Sequence, residues 1–520
     1  MANAVDQVRA EYDEVPYDSH AFPLSAPGHL AAIAYLFGLD VPDVSSARVL
    51  EIGCSAGSNL IPFAAWHAEA HAVGIDLSQV QIDQGRQRVQ ALGLDNLELL
   101  QGDIAEMALE ALGQFDYIIC HGVYSWVPEN VQDAILSAFR RLLVPDGVAY
   151  LSYNVYPGWK AKEIVRDAML LRGGGRGTPD EKLGYARGMI DFLEEVAPAD
   201  SVLARALADF RIATGNVRDY YLMHEYLETF NSPCYFLEML ERAQEHGLAY
   251  LADAVPSTMF AINYGDKVSE PLLKECGHSQ VLLEQYLDFV VNQTFRRSLL
   301  IHAERAPQIR YRLDRSRYGR LHFAAWLPPV AGETRMDESR QEYGDRDAGT
   351  LITHDPGVKA AVEALNDRWP WTLSRDELLT AAQSRLSAAG IGTPSDLDAR
   401  LDDLLDLLIV RGQLRFRLEP VVPHPSATPT WLDETTRRLA ELAREDPDPC
   451  VYNAWHEEVA LSPLDRHLLP LLDGTRDRND LVKELLNVAG TDVNALSRDA
   501  VTQHVDTIPQ RLAGMKLLLP

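Results

Sequence analysis

Between residues 46 and 154, short apolar runs alternate with longer stretches of helical periodicity, and that alternation leaves few folds open. The runs are ARVLEIG (47–53), AHAVGIDL (70–77), NLELLQGD (96–103), FDYIICHG (115–122) and GVAYLSYN (147–154). Between them lie SNLIPFAAWHAE, SQVQIDQGRQRVQALG, AEMALEALG and VQDAILSAFRRLLVPDG. Strand–helix repetition of this kind predicts βαβ units around a parallel sheet. The runs are nearly continuous in apolar residues, as strands covered on both faces should be. The expected class is α/β, with a Rossmann-like sheet over residues 46–160.

The remainder of the 520 residues is too long for one core and predicts further domains. Residues 1–45 read as a helical cap. Residues 161–331 read as a mainly helical region, with LAYLADA (248–254) and the end of 282–302 as late strands. The cluster RGGGRGTPD (172–180) reads as a flexible connection. Residues 332–357 are polar and glycine-bearing and read as a linker. Three helical patterns and the strand-like QLRFRLEP predict a winged-helix-like module over 358–420. A proline-rich stretch (420–430) then leads to a second helical, winged-helix-like module over 431–520.

Composition removes several classes of function. Apolar residues make up 47%, and no run reaches the length of a membrane helix. The first twenty residues lack a charged-then-apolar signal pattern, so a cytoplasmic protein without membrane insertion is expected. Five scattered cysteines with no CxxC pair imply neither a metal site nor a disulfide framework. A net charge of −28 opposes nucleic-acid binding and is compatible with a basic protein or peptide partner. A winged helix that reads DNA needs a basic recognition helix. SDLDARLDDLLDLLIVRG is acidic, so these modules read as protein-contact or homodimer elements.

The chemistry concentrates at VLEIGCSAGSN (49–59), where the first strand turns into a helix. Glycines there allow a tight turn and close approach of a ligand to the main chain. Gly53 and Gly57 do not have the GxGxxG spacing that cradles a pyrophosphate, and Glu51 two positions earlier would repel one. A carboxylate in that place suits a ligand carrying an amine and a sulfonium. Asp76 at the end of the second strand is placed to accept ribose hydroxyls, and Asp103 at the end of the third to accept an adenine amine. After strands four and five come His121, Tyr124 and Trp126, then Asn154, Tyr156 and Trp159. Aromatic faces there can hold a cationic acceptor or sulfonium. His224 and Glu225 lack the second histidine of a zinc helix and read as a structural or substrate-contacting pair.

These residues carry a resemblance. Residues 47–154 are similar to class I S-adenosylmethionine-dependent methyltransferases, whose E-x-G-x-G-x-G motif maps onto Glu51, Gly53, Ser55 and Gly57, with serine at the usual middle glycine. The resemblance implies S-adenosylmethionine as cofactor and S-adenosylhomocysteine as product. It implies a binding set of Glu51, Gly53, Cys54, Gly57, Asn59, Asp76, Leu77, Asp103, Ile104 and His121. Tyr12 and Tyr17 of EYDEVPYDSH would close over it as a lid. HGVYSWVP (121–128), SYNVYPGW (152–159), HEYLETFNSPCYF (224–236) and PLLDGTRDR (470–478) resemble, more narrowly, the bacterial protein lysine methyltransferase group with its regulatory domain. That implies an N-methyltransferase for protein lysines, with Tyr124, Trp126, Asn154, Tyr156 and Trp159 around the acceptor. The alternatives are a small-molecule or natural-product methyltransferase and a catalytically silent cofactor-binding scaffold.

Overall fold

A computed structural model describes residues 5, 9, 12–13, 19–174, 177–215, 219–345, 349–422, 429–444, 449–492 and 497–517. The expected alternation is present. Strands β1 (Arg48–Ile52), β2 (His71–Asp76), β3 (Leu97–Gln101), β4 (Phe115–Cys120) and β5 (Leu143–Asn154) run parallel to one another. The mainly helical region after β5 adds β6 (Leu248–Asp253) and β7 (Phe295–His302). The sheet order is β3-β2-β1-β4-β5-β7-β6, with β7 antiparallel to both β5 and β6. The order reverses between β1 and β4. Open α/β sheets bind ligands at such a switch point, outside the carboxyl ends of the strands.

Local chemistry explains the elements around that point. Ser78 caps the helix Gln79–Leu92 by accepting from the Gln81 amide, and Gly93 ends it in the left-handed conformation. The helix Glu129–Leu142 buries Val131, Ile135, Leu136, Phe139 and Leu142, which share one face at helical spacing. Gly74 sits inside β2 because a Cβ there would lie 2.6 Å from Cys54 Sγ and 2.7 Å from Leu99. β7 is anchored from beneath by Arg296, which donates to Asp288 at 2.8–3.1 Å and to Glu284 Oε2 at 2.9 Å, all buried. Truncating one member of such a group strands the others and costs about 3–5 kcal/mol.

Helices Gly158–Gly173, Pro179–Val196, Val202–Thr214 and Asp219–Tyr226 form a satellite bundle with its own small core, including Met169, Ile190 and Phe210. Of the stretch 172–180, Gly173 ends one of these helices and Thr178 caps the next through a capping box with Glu181, while residues 175 and 176 lie outside the described residues. Helix Pro27–Leu36 is buried almost all round, lying between β5 and β6 of the main sheet and a strand of the next module.

Two expected boundaries change. Residues 332–357 are not a plain linker: β9 (Gln341–Asp345) pairs antiparallel with β10 (Gly349–Thr353). The hairpin buries Tyr343 and Leu351, a packing that its polar composition hides. The module after it also begins earlier than residue 358. Its three-stranded sheet uses β8 (His322–Ala324) between β11 (Leu373–Ser374) and β12 (Arg415–Arg417). A three-residue strand shows no period in sequence. The last module carries a hairpin of β13 (Cys450–Tyr452) and β14 (Glu458–Ala460). No helix among the described residues is long and apolar enough to cross a membrane.

Candidate active site

A cavity of about 470 Å³ opens at the carboxyl ends of β1, β2, β4 and β5. Its floor is the turn after β1. Gly53 and Gly57 both have positive φ, 76° and 78°. At Gly53 an added Cβ would fall 2.2 Å from Val123 Cγ2, so the backbone approaches the loop after β4 with no side chain between. Ser55 stands where the motif has a glycine and still adopts φ 51°. Its amide donates to Asp76 Oδ2 at 2.8 Å, which holds it in that left-handed position.

Three carboxyl groups face the cavity, as expected. Glu51 is buried; its Oε1 accepts from Asn59 Nδ2 at 2.8 Å, while its Oε2 is buried without a hydrogen-bond partner. Burial, with the nearby Asp76 charge adding to it, pushes the Glu51 carboxyl up to about 8. Asp76 accepts from the Ser55 and Ser78 amides, yet burial raises its carboxyl above the usual carboxylate range. The carboxyl group as a whole keeps acceptor capacity for a further donor. Asp103 accepts from the Ala105 amide at 2.9 Å and lies on the rim beside Ile104. Cys54, Asn59 and Leu77 line the same space, whereas Gly57 lies beneath it against Leu99.

His121 enters from the end of β4. Its Nδ1 is 2.8 Å from the Tyr150 hydroxyl, and its ring packs on Phe22 with centroids 3.8 Å apart. Burial, helped by Arg297, pushes it down to about 3, so it is a neutral imidazole at physiological pH.

The opposite wall is aromatic and charged. Trp126 and Trp159 meet edge to face at 6.0 Å. Lys162 Nζ lies 4.7 Å from the Trp159 ring centre and 3.2 Å from Glu225. His224 Nδ1 is 2.5 Å from Glu228, and its ring stacks on Tyr12 at 5.2 Å. Asn154, held by Asn231 at 3.0 Å, completes this side.

Two expected acceptor residues are elsewhere. Tyr124 is buried against Tyr153 and does not line the cavity. Tyr156 points away from it: its hydroxyl donates to Glu163 at 2.5 Å and Lys160 covers its ring at 3.5 Å. Tyr17 lies outside the described residues, while Tyr12 lines the cavity. The sequence reading missed Phe22, Lys162, Phe295 and Arg297, which also line it. Only Lys162 carried a signal, at i+3 from Trp159 on one helix.

The arrangement fits S-adenosylmethionine. A buried Glu51 oxygen without a partner suits an ammonium, and the main-chain turn Gly53–Ser55 lines the cavity where a ligand can pack against it. Comparison with known proteins decides the matter. A family model described as "Methyltransferase domain" matches residues 49–147. An uncharacterised protein of Rickettsia prowazekii (strain Madrid E) is 31% identical over 499 residues, covering 94% of this chain and 88% of that one. The chain belongs to the class I S-adenosylmethionine-dependent methyltransferases.

Two further models match this methyltransferase: "Predicted methyltransferase regulatory domain" at residues 218–302 and "PKMT, C-terminal winged helix domain" at 435–514. The structure of PKMT2 from Rickettsia typhi in complex with AdoHcy superposes with a TM-score of 0.83 at 27% identity, covering 96% of this chain and 99% of that one. A shorter similarity, 28% over 138 residues, links 26% of the chain to a ubiquinone biosynthesis O-methyltransferase of Acinetobacter baumannii.

Proposed function

We propose that this methyltransferase transfers the methyl group of S-adenosylmethionine to the ε-amine of lysine in a protein substrate. The observation that carries the reading is the wall made by Trp159, Lys162 and Glu225. An ε-ammonium already rests against the Trp159 face with a carboxylate beside it, so this side of the cavity suits the chemistry of an alkylammonium acceptor. The likeness to PKMT2 over nearly the whole chain supports the same reading.

The reaction needs a neutral amine aligned with the methyl carbon and the leaving sulfur. A free lysine has a pKa near 10.4, so deprotonation at pH 7 costs about 4.6 kcal/mol. Desolvation between Trp126 and Trp159, and the sulfonium charge when the cofactor is bound, both lower that cost. His224, oriented by Glu228, is the candidate to take the departing proton. Alignment supplies the larger share of the rate.

The test is incubation of the protein and labelled S-adenosylmethionine with a cell extract, followed by acid hydrolysis of the protein fraction. Label recovered as methyl-lysine is the expected result. Label confined to small molecules would overturn the reading in favour of a metabolite acceptor. No transfer to any acceptor would favour a silent binding protein.

A further inference from the structure

The cofactor pocket is not closed by the catalytic domain alone. The hairpin β13–β14 of the last module, more than 370 residues away in sequence, stands behind its lining and touches Asn59 with the turn Asn453–Glu457. Asn453 Oδ1 accepts from the Trp455 and Glu457 amides at 2.9 and 3.2 Å, which sets the turn. His456 takes φ 62° at its tip. Trp455, fully buried, donates to Pro370 O at 2.9 Å and so fastens the hairpin to the preceding module. The turn is therefore held from behind and aimed at the turn after β1.

At that contact Asn59 is the junction. Its Oδ1 is 2.9 Å from His456 Nε2 and accepts the Phe22 amide at 2.8 Å. Its Nδ2 donates to Glu51 Oε1 at 2.8 Å and to Ser25 Oγ at 3.1 Å. All four polar positions of the amide are used. Because Oδ1 already accepts the Phe22 amide, His456 must be the donor through a protonated Nε2. Burial keeps this imidazole neutral, pushed down to about 3, and the hydrogen bond to Oδ1 is what selects the tautomer with its proton on Nε2. A flipped Asn59 amide would turn its NH₂ toward two N–H donors, the Phe22 amide and His456 Nε2. Two donors on Oδ1 forbid that flip; one forbids it less firmly.

Two residues further on, Glu458 braces the segment that covers the pocket. Its Oε1 accepts the Ala21 amide at 2.8 Å, and its Oε2 lies 3.1 Å from His20 Nδ1. Ser19, His20 and Phe22 all line the cavity, and Ser19 Oγ accepts the Ser58 amide at 3.1 Å. A single hairpin thus holds both the orientation of the buried carboxylate and the cover above it.

We propose that His456 and Glu458 of the C-terminal module are positioning residues for S-adenosylmethionine: through Asn59 and residues 19–22 they hold the lining of the cofactor pocket in place, so that the module governs cofactor affinity. The inference rests on the cofactor site and not on the identity of the methyl acceptor.

Binding of S-adenosylhomocysteine to the full-length chain, followed by titration calorimetry, tests it. His456→Ala is expected to raise Kd about tenfold, the scale of one lost buried hydrogen bond and the freedom it gives Asn59. His456→Gln, which can still donate an N–H, is expected to stay within about threefold of the parent. Glu458→Ala should raise Kd about threefold. In a Glu51→Gln background the His456→Ala effect should shrink, because the two act through the same amide. A folded His456→Ala protein with unchanged Kd would overturn the proposal, as would equal loss in His456→Ala and His456→Gln. Should His456→Ala fail to fold, the half-exposed Glu458→Ala decides the matter: parental affinity there overturns it. Because no acceptor is present, failure of the lysine reading leaves this result untouched.

Discussion

The two walls of the cavity are built in opposite ways. The cofactor wall comes from the ends of three neighbouring strands within about fifty residues, Glu51 to Asp103, and each ligand-facing group sits where its strand stops. The opposite wall, which we propose faces the acceptor, gathers Trp126, Trp159, Lys162, His224 and Phe295, from a turn, two helices of the satellite bundle and an antiparallel strand. A wall fixed by strand ends inherits the rigidity of the sheet. The part of the other wall that comes from the separate bundle, Trp159, Lys162 and His224, can change its residues without disturbing the sheet.

Substitutions should separate the two walls, and the largest effect belongs to the floor. Gly53→Ala forces a Cβ to 2.2 Å from Val123 at a positive φ. We expect roughly a hundredfold loss of S-adenosylhomocysteine affinity, from strain and steric overlap together. Adding Val123→Ala should recover only the steric part, and full recovery would show that the left-handed backbone carries no cost. Asp76→Ala should weaken cofactor binding by about 1–3 kcal/mol, the scale of lost charge-assisted hydrogen bonds. An unchanged Kd would move the ribose contact elsewhere.

The acceptor wall should answer differently. Trp126→Ala is expected to lower methyl transfer about tenfold, the upper range of one cation–π contact, with cofactor Kd within about twofold. Equal loss in both measurements would merge the two walls into one. Trp159, fully buried, is less suited to this test, because its truncation also costs stability.

The smallest effect expected is on pH. Glu51 is pushed up to about 8 from an ordinary 4.5. Between those values the folded, ligand-free protein holds a proton that the unfolded chain has lost, so this group makes stability fall as pH rises through the interval. A cationic ligand beside it favours the ionised form, so binding releases a proton. Affinity for S-adenosylhomocysteine should rise severalfold from pH 6 to pH 7.5, and Glu51→Gln should flatten the profile. A parental profile in Glu51→Gln would assign the titration to another group.

How much could be read in advance follows the same division. The five parallel strands and the three carboxylates were visible because period, turn chemistry and strand ends are local features. Tyr124 and Tyr156 were misjudged because both follow strand ends in an aromatic-rich stretch, where sequence cannot tell which side of the chain faces the cavity. The hairpin in 332–357 and the strand at 322–324 were hidden because short pairing segments owe their form to the partner strand.

By itself the sequence determined a parallel α/β core and a glycine turn preceded by a carboxylate. Those depend on backbone freedom and side-chain period, which travel with the residues. Only the tertiary structure decided the order and direction of the two late strands, with β7 inserted antiparallel between β5 and β6. It alone brought Lys162 and Glu225 onto Trp159, and His456 onto Asn59. Such contacts join residues tens to hundreds of positions apart. They form because burying the module interfaces brings those residues together, and no local pattern records which pairs will meet.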